Sequence, residues 1–191
     1  MGSSWGVHPI AHGHVFGKTT AEDMRNTHWK VLIVDDDEND RHLLQRSLTQ
    51  FNGTLMVCEV KDGQEAIDYL DGKEIFSDRE KYPFPTFIFL DLKMPRVDGF
   101  SVLSHLKKNP LWAVTPTLVF SASNDLDDVK KAFLCGASAY HVKPASTEER
   151  DALCRKLIEY WSSSELPQAD QAGRQFKTNS RGKLGERVDQ P

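Results

Sequence analysis

The sequence predicts an α/β protein: a five-stranded parallel sheet with helices on both faces, in a doubly wound (βα)5 arrangement. Two observations predict it. Short apolar runs alternate with stretches whose apolar residues recur at helical spacing, five times in succession. Most residues of these runs are β-branched or apolar, as expected of strands covered by helices on both faces.

The elements follow in order. Lys30–Val34 (KVLIV) is a β-branched run that ends on carboxylates. Leu43, Leu44, Leu48 and Phe51 then recur at helical spacing, with Asp37 placed to cap that helix. Leu55–Val60 is a second strand and Gly63–Leu70 a short helix. Thr86–Leu90 (TFIFL) is an apolar strand, followed by a helix over Phe100–Leu106. Thr117–Phe120 (TLVF) is the fourth strand, and Val129–Leu134 a helix stopped at Gly136. Ala139–Val142 is the fifth strand. Ser146 and Glu149 form a capping box for a last helix with Leu153, Leu157 and Trp161 on one face.

A chain of 191 residues suits one domain plus ends. Residues 1–28 read as a flexible leader and 164–191 as a disordered tail, leaving 29–163 as the folded unit. The net charge of −4 gives no basic field for nucleic acid or an anionic membrane. No apolar run approaches the roughly 20 residues that span a bilayer, and no secretory signal is visible, so a cytoplasmic protein is expected. Cys58, Cys135 and Cys154 are far apart and read as reduced thiols. Gly13 to Thr19 imitates a phosphate-binding loop, but it is one residue short and follows no strand. His8, His12 and His14 read as part of the solvated leader.

In a doubly wound sheet, ligands sit beyond the carboxyl ends of the strands, where strand order reverses. The residues at those ends carry the chemistry. The first strand ends in Asp35-Asp36-Asp37, the third in Asp91, the fourth in Ser121 and the fifth in Lys143-Pro144. Converging carboxylates stay ionised together only beside a cation, and an all-oxygen donor set suits Mg²⁺. A lysine adds a point charge suited to phosphate, and a serine hydroxyl can donate to a phosphoryl oxygen. The set fits phosphoryl transfer onto a carboxylate, where catalysis is mostly positioning and charge neutralisation.

VLIVDDDEND, FLDLKMPRVDG, VFSAS and YHVKP resemble the motif set of bacterial response-regulator receiver domains, in order and at family-like spacing, from Trp29 to Trp161. Asp71–Pro85 (DGKEIFSDREKYPFP) is also similar to a segment of stand-alone receivers related to phytochrome-associated regulators. The resemblance implies the flavodoxin-like, CheY-like form of the fold. It implies that Asp91 accepts the phosphoryl group. Asp36 would bind Mg²⁺ directly, Asp35 would support it, and the backbone carbonyl of Lys93 would be a further ligand. Ser121 would bond the phosphoryl oxygen, and Lys143 would pair with Asp91 and then with the phosphate. Tyr140 would turn inward as Ser121 moves, and the peptide before Pro144 would be cis.

The implied partners are a sensor histidine kinase or hybrid kinase, phytochrome-like by the subfamily resemblance, and a downstream protein or histidine phosphotransfer partner. A homodimer is compatible with the family, whereas contact with nucleic acid or membrane is not expected. The implied role is a switch with self-phosphorylation and self-dephosphorylation chemistry, not a turnover enzyme. Two alternatives stand beside it. One is a constitutive interaction module that is never phosphorylated. The other is a phosphatase of the haloacid dehalogenase type, suggested by Asp35-x-Asp37 but opposed by Asn39, where that family needs Thr or Val.

Overall fold

The computed structural model describes residues 29–50 and 55–167, with 173–174, 176–178 and 184–187 beyond them. Five strands, β1 (Trp29–Val34), β2 (Leu55–Val60), β3 (Phe87–Leu90), β4 (Thr117–Ser121) and β5 (Ala139–Val142), form one parallel sheet in the order β2-β1-β3-β4-β5. Five helices connect or follow them: α1 (Glu38–Thr49), α2 (Gly63–Asp71), α3 (Gly99–Lys108), α4 (Leu126–Leu134) and α5 (Thr147–Ser162). The expected fold class is therefore the observed one. Phe51, the leader, its histidines and its loop-like glycine motif lie outside the described residues.

Side chains alternate across each strand, so the sheet makes two cores. Leu32, Val34, Ile88, Leu90 and Val119 pack with α2, α3 and the Ala132 side of α4. Val31, Ile33, Phe89, Leu118 and Phe120 pack with Leu44 and Leu48 of α1 and Cys154 and Leu157 of α5. Each such side chain stabilises the fold by about 1.5–3 kcal/mol on burial. Phe133 departs from this pattern: it is 50% exposed on α4, beside Leu134 at 66%. Cys58, Cys135 and Cys154 are free, and burial pushes the Cys154 thiol up to about 12.

Helix starts are fixed by side chains. Asp37 accepts hydrogen bonds from the amides of Asn39 and Asp40 at 2.8 and 3.1 Å, as its sequence position suggested. Ser146 accepts from the Glu149 amide at 3.2 Å. The segment between α2 and β3 is built, not slack. Arg79 donates to the carbonyls of Tyr69 and Leu70 at 2.7 and 2.6 Å, capping the end of α2. Phe76, in a 3-10 turn over Glu74–Ser77, packs tilted against Tyr69 and edge-to-face with Tyr82.

Two short strands, β6 (Phe176–Thr178) and β7 (Leu184–Arg187), pair antiparallel within the span that composition assigns to a tail. Gly173 packs so closely on the Phe84 ring that a Cβ there would lie 2.6 Å from it. Among the described residues, no helix is long and apolar enough to cross a membrane.

Candidate functional site

The strand order reverses between β1 and β3, and the register there sets the site. Val34 lies opposite Leu90, so the next residues, Asp35 and Asp91, emerge side by side. Backbone bonds extend the pairing: the Asp91 amide donates to Val34 O at 2.8 Å and the Asp35 amide to Val60 O at 3.3 Å. On the other side of β3, the Lys143 amide donates to Ser121 O at 2.8 Å, holding the end of β5 against the end of β4.

Asp35 and Asp91 are buried, with 4% and 6% of their surface exposed, and Asp36 is exposed. Carboxylate oxygens of all three lie within 4.8 Å of one another. Asp91 Oδ1 accepts from the amides of Leu92 and Lys93 at 2.7 and 3.4 Å. Lys143 Nζ reaches Asp35 Oδ2 at 2.7 Å, Asp40 Oδ2 at 2.8 Å and Asp91 Oδ2 at 3.4 Å. Burial alone would lower the Lys143 ammonium, but its bonds to Asp35 and Asp40 outweigh that and hold it raised. Burial pushes the Asp35 carboxyl up, against the pull of Lys143.

Ser121 Oγ is fully buried and has no hydrogen-bond partner among the described residues. An unsatisfied buried hydroxyl costs about 1–3 kcal/mol, and this one has a free O–H to donate. Tyr140 donates its hydroxyl to Ser123 O at 2.9 Å, across the loop after β4. Ser123 Oγ donates to Asp128 Oδ2 at 2.7 Å, and the Lys93 ammonium meets the same oxygen at 2.6 Å. Lys93, beside it, holds the Asp128 carboxyl below the usual carboxylate range.

Every residue expected at the site is thus on the same rim. The expected cis peptide is not found: among the described residues there is none, and Lys143–Pro144 is trans. The Lys143 amide bond to Ser121 O and the reach of its side chain deliver the ammonium without a cis turn.

Two residues of the rim were not expected. Asp40, in the first turn of α1, takes part of Lys143, and Arg150, in the first turn of α5, donates Nη2–H to Asp40 Oδ1 at 3.2 Å. Their sequence signal is weak, since acids in a first helical turn usually serve the helix dipole.

The donor set fits a hard divalent cation. Four carboxylates, Asp35, Asp36, Asp40 and Asp91, stand against two cations, Lys143 and Arg150. The cluster therefore lacks two positive charges, and oxygen is the only donor type it offers.

A family model described as the response regulator receiver domain matches residues 31–155. The chain belongs to that family. The receiver is 30% identical over 131 residues to the probable methanogenesis regulatory protein FilR2 of Methanothrix harundinacea (strain 6Ac), covering 69% of this chain and 82% of that protein. Three further curated relatives are longer, and the chain spans between 26% and 52% of their length. Among solved structures, the receiver is similar to the phosphorylated cyanobacterial phytochrome response regulator RcpA, at 29% identity and a TM-score of 0.69 over 74% of this chain and all of that one. It is also similar to the Mn(2+)-bound form of response regulator Rcp1, at 26% identity and a TM-score of 0.67 over 73% and 99% of the two chains. Rcp1 is from Synechocystis sp. (strain ATCC 27184 / PCC 6803 / Kazusa). The receiver is accordingly a phospho-accepting component of two-component signalling and not a turnover enzyme, with an acidic cluster of the kind that holds a divalent metal in this family.

Proposed function

We propose that Asp91 is the phospho-acceptor and that the rim built around it carries the switch chemistry. The observation that supports this most directly is the clustering of Asp91 with Asp35 and Asp36 within 4.8 Å, with the Lys143 ammonium beside all but Asp36.

A phosphohistidine of a sensor kinase supplies the phosphoryl group. An Asp91 carboxylate oxygen forms the new O–P bond while the N–P bond breaks, and the electron pair returns to the imidazole, which takes up a proton. Asp35, Asp36, Asp91 and the Lys93 carbonyl would hold Mg²⁺, which would supply charge neutralisation to the transferring phosphoryl oxygens. Lys143 donates to the phosphoryl group. Ser121, with its hydroxyl idle, donates to another phosphoryl oxygen. That motion pulls on the loop after β4 and frees Tyr140 from Ser123, so that the ring turns inward. Attack of water on the acyl phosphate returns the resting state.

The structural relatives named as phytochrome and red-light response regulators support a phytochrome-type histidine kinase as the donor. Output then passes to a downstream protein, to a histidine phosphotransfer partner or through a homodimer, in the cytoplasm.

The test is incubation with acetyl phosphate and Mg²⁺ followed by intact-mass measurement. One added phosphoryl group, lost in Asp91→Asn, is the expected result. Mass unchanged in the parent would support a constitutive interaction module instead. Phosphate that survives Asp91→Asn would move the acceptor elsewhere.

A further inference from the structure

The Lys143 ammonium has three N–H donors, and three carboxylates take them: Asp35, Asp40 and Asp91, in order of increasing distance. A phosphoryl group on Asp91 needs one of those donors, so one carboxylate must release Lys143. Asp35 belongs to the metal-binding set and Asp91 to the acceptor itself. Asp40 belongs to neither.

Arg150 makes Asp40 able to let go. Its side chain is 8% exposed and holds Asp40 Oδ1 by one arm of the guanidinium. Its Nε–H is buried and has no acceptor among the described residues. A guanidinium fork that uses one arm and leaves the adjacent donor idle has room for a second, parallel bond to the same carboxylate. Lys143 currently occupies the Asp40 oxygen, Oδ2, that such a bond would use.

We propose that Asp40 and Arg150 are positioning residues for Lys143. Asp40 parks the ammonium in the resting receiver, and Arg150 takes over Asp40 through its idle Nε–H when Lys143 turns to the phosphoryl group. This inference rests on the acceptor assignment above. No bond is made or broken covalently; one ion pair is exchanged for another. The exchange links the site to α1 and α5, which Ser47 and Asp151 also join by a direct hydrogen bond.

The test is equilibrium binding of beryllofluoride, a phosphoryl mimic, with Mg²⁺, to the full chain and its variants. Asp40→Asn removes the competing carboxylate charge and is expected to tighten binding about fivefold, the size of one partly exposed ion pair. Arg150→Gln strands Asp40 on Lys143 and is expected to weaken binding by a similar factor. Because Arg150 acts only through Asp40, the double variant is expected to match Asp40→Asn. In the metal-free protein, the Lys143 ¹⁵Nζ resonance is expected to move in Asp40→Asn.

A double variant that returns to the parent affinity would mean simple through-space charge and would overturn the proposal. So would two single variants that both weaken binding, as a merely structural role requires. Arg150→Lys keeps a cation beside Asp40 and serves if Arg150→Gln does not fold; it should lie between Arg150→Gln and the parent, and an affinity equal to that of Asp40→Asn would overturn the proposal. A parent chain that binds no beryllofluoride would overturn the acceptor assignment and this inference with it.

Discussion

Lys143 Nζ stands 2.7 Å from Asp35 Oδ2 with both side chains at least nine-tenths buried. Removing one member of such a pair leaves the other as an uncompensated buried charge. The Lys143 pKa is raised in the fold, so its contribution is complete below the ordinary lysine value of 10.5 and is lost only as pH rises through the higher folded value. At neutral pH the pair therefore acts in full. Lys143→Met is expected to lower the unfolding free energy by about 3 kcal/mol in urea titrations without metal. Mg²⁺ should restore more stability to this variant than to the parent, because the cation then replaces a missing charge and meets no competing ammonium.

Metal removal gives a second expectation. A ligand that binds only the folded chain stabilises it by about 2.7 kcal/mol at 100 times its Kd. Mg²⁺ should raise the thermal midpoint of the parent, and EDTA should reverse the rise. Asp36→Asn should abolish most of it with little cost to the metal-free fold, since Asp36 is exposed. A Mg²⁺-dependent rise unchanged in Asp36→Asn would remove that residue from the ligand set.

The loop that presents the Lys93 carbonyl is seated by Gly99. A Cβ at this position would lie 2.2 Å from Asp91 O and 2.8 Å from Leu92 Cα, both backbone atoms that cannot turn aside. Gly99→Ala must therefore push α3 away from the end of β3. A stability loss of about 2 kcal/mol is expected, as for an overpacked core site. Calorimetric Mg²⁺ affinity should fall as well. Normal affinity would mean that the metal does not depend on this loop.

Much of this was legible in the sequence because strand ends are fixed by composition and the sheet brings them together. The KVLIV run stops at Asp35 and the TFIFL run at Asp91, and parallel register does the rest. Asp40 and Arg150 were not legible. Each sits in the first turn of a helix, where charge is ordinary, and their meeting depends on how α1 and α5 pack across 110 residues of sequence. The exposure of Leu134 was hidden for a related reason: apolar spacing identifies a helix but not how much of its face the sheet covers. The strands β6 and β7 arise from a polar, low-contrast stretch with no periodicity to reveal them.

Asp128 ties Lys93 to Ser123, and Ser123 holds Tyr140. These bonds fasten the loop between β4 and α4 in its resting position. Asp128→Ala should speed amide hydrogen exchange over residues 122–126 while leaving β4 protected. It should also ease the inward turn of Tyr140, visible as a change in its ring resonances without phosphorylation. Unchanged exchange would show that the loop is held by its backbone alone.

His141 gives a pH dependence of defined sign. It lies on β5, half-buried, with Nε2 lacking any partner among the described residues, and burial lowers its pKa below the ordinary 6.5. The unfolded chain therefore takes up this proton first as pH falls. Stability is intact above pH 6.5 and is lost as pH drops from there through the lower folded value. The thermal midpoint should fall between about pH 7 and pH 5. The chain has 7 histidines, so the comparison with His141→Phe isolates this one. That variant should show a smaller fall over the same range, because an apolar ring at this position has no proton to take up. A fall of equal size in both proteins would assign the pH dependence to other groups.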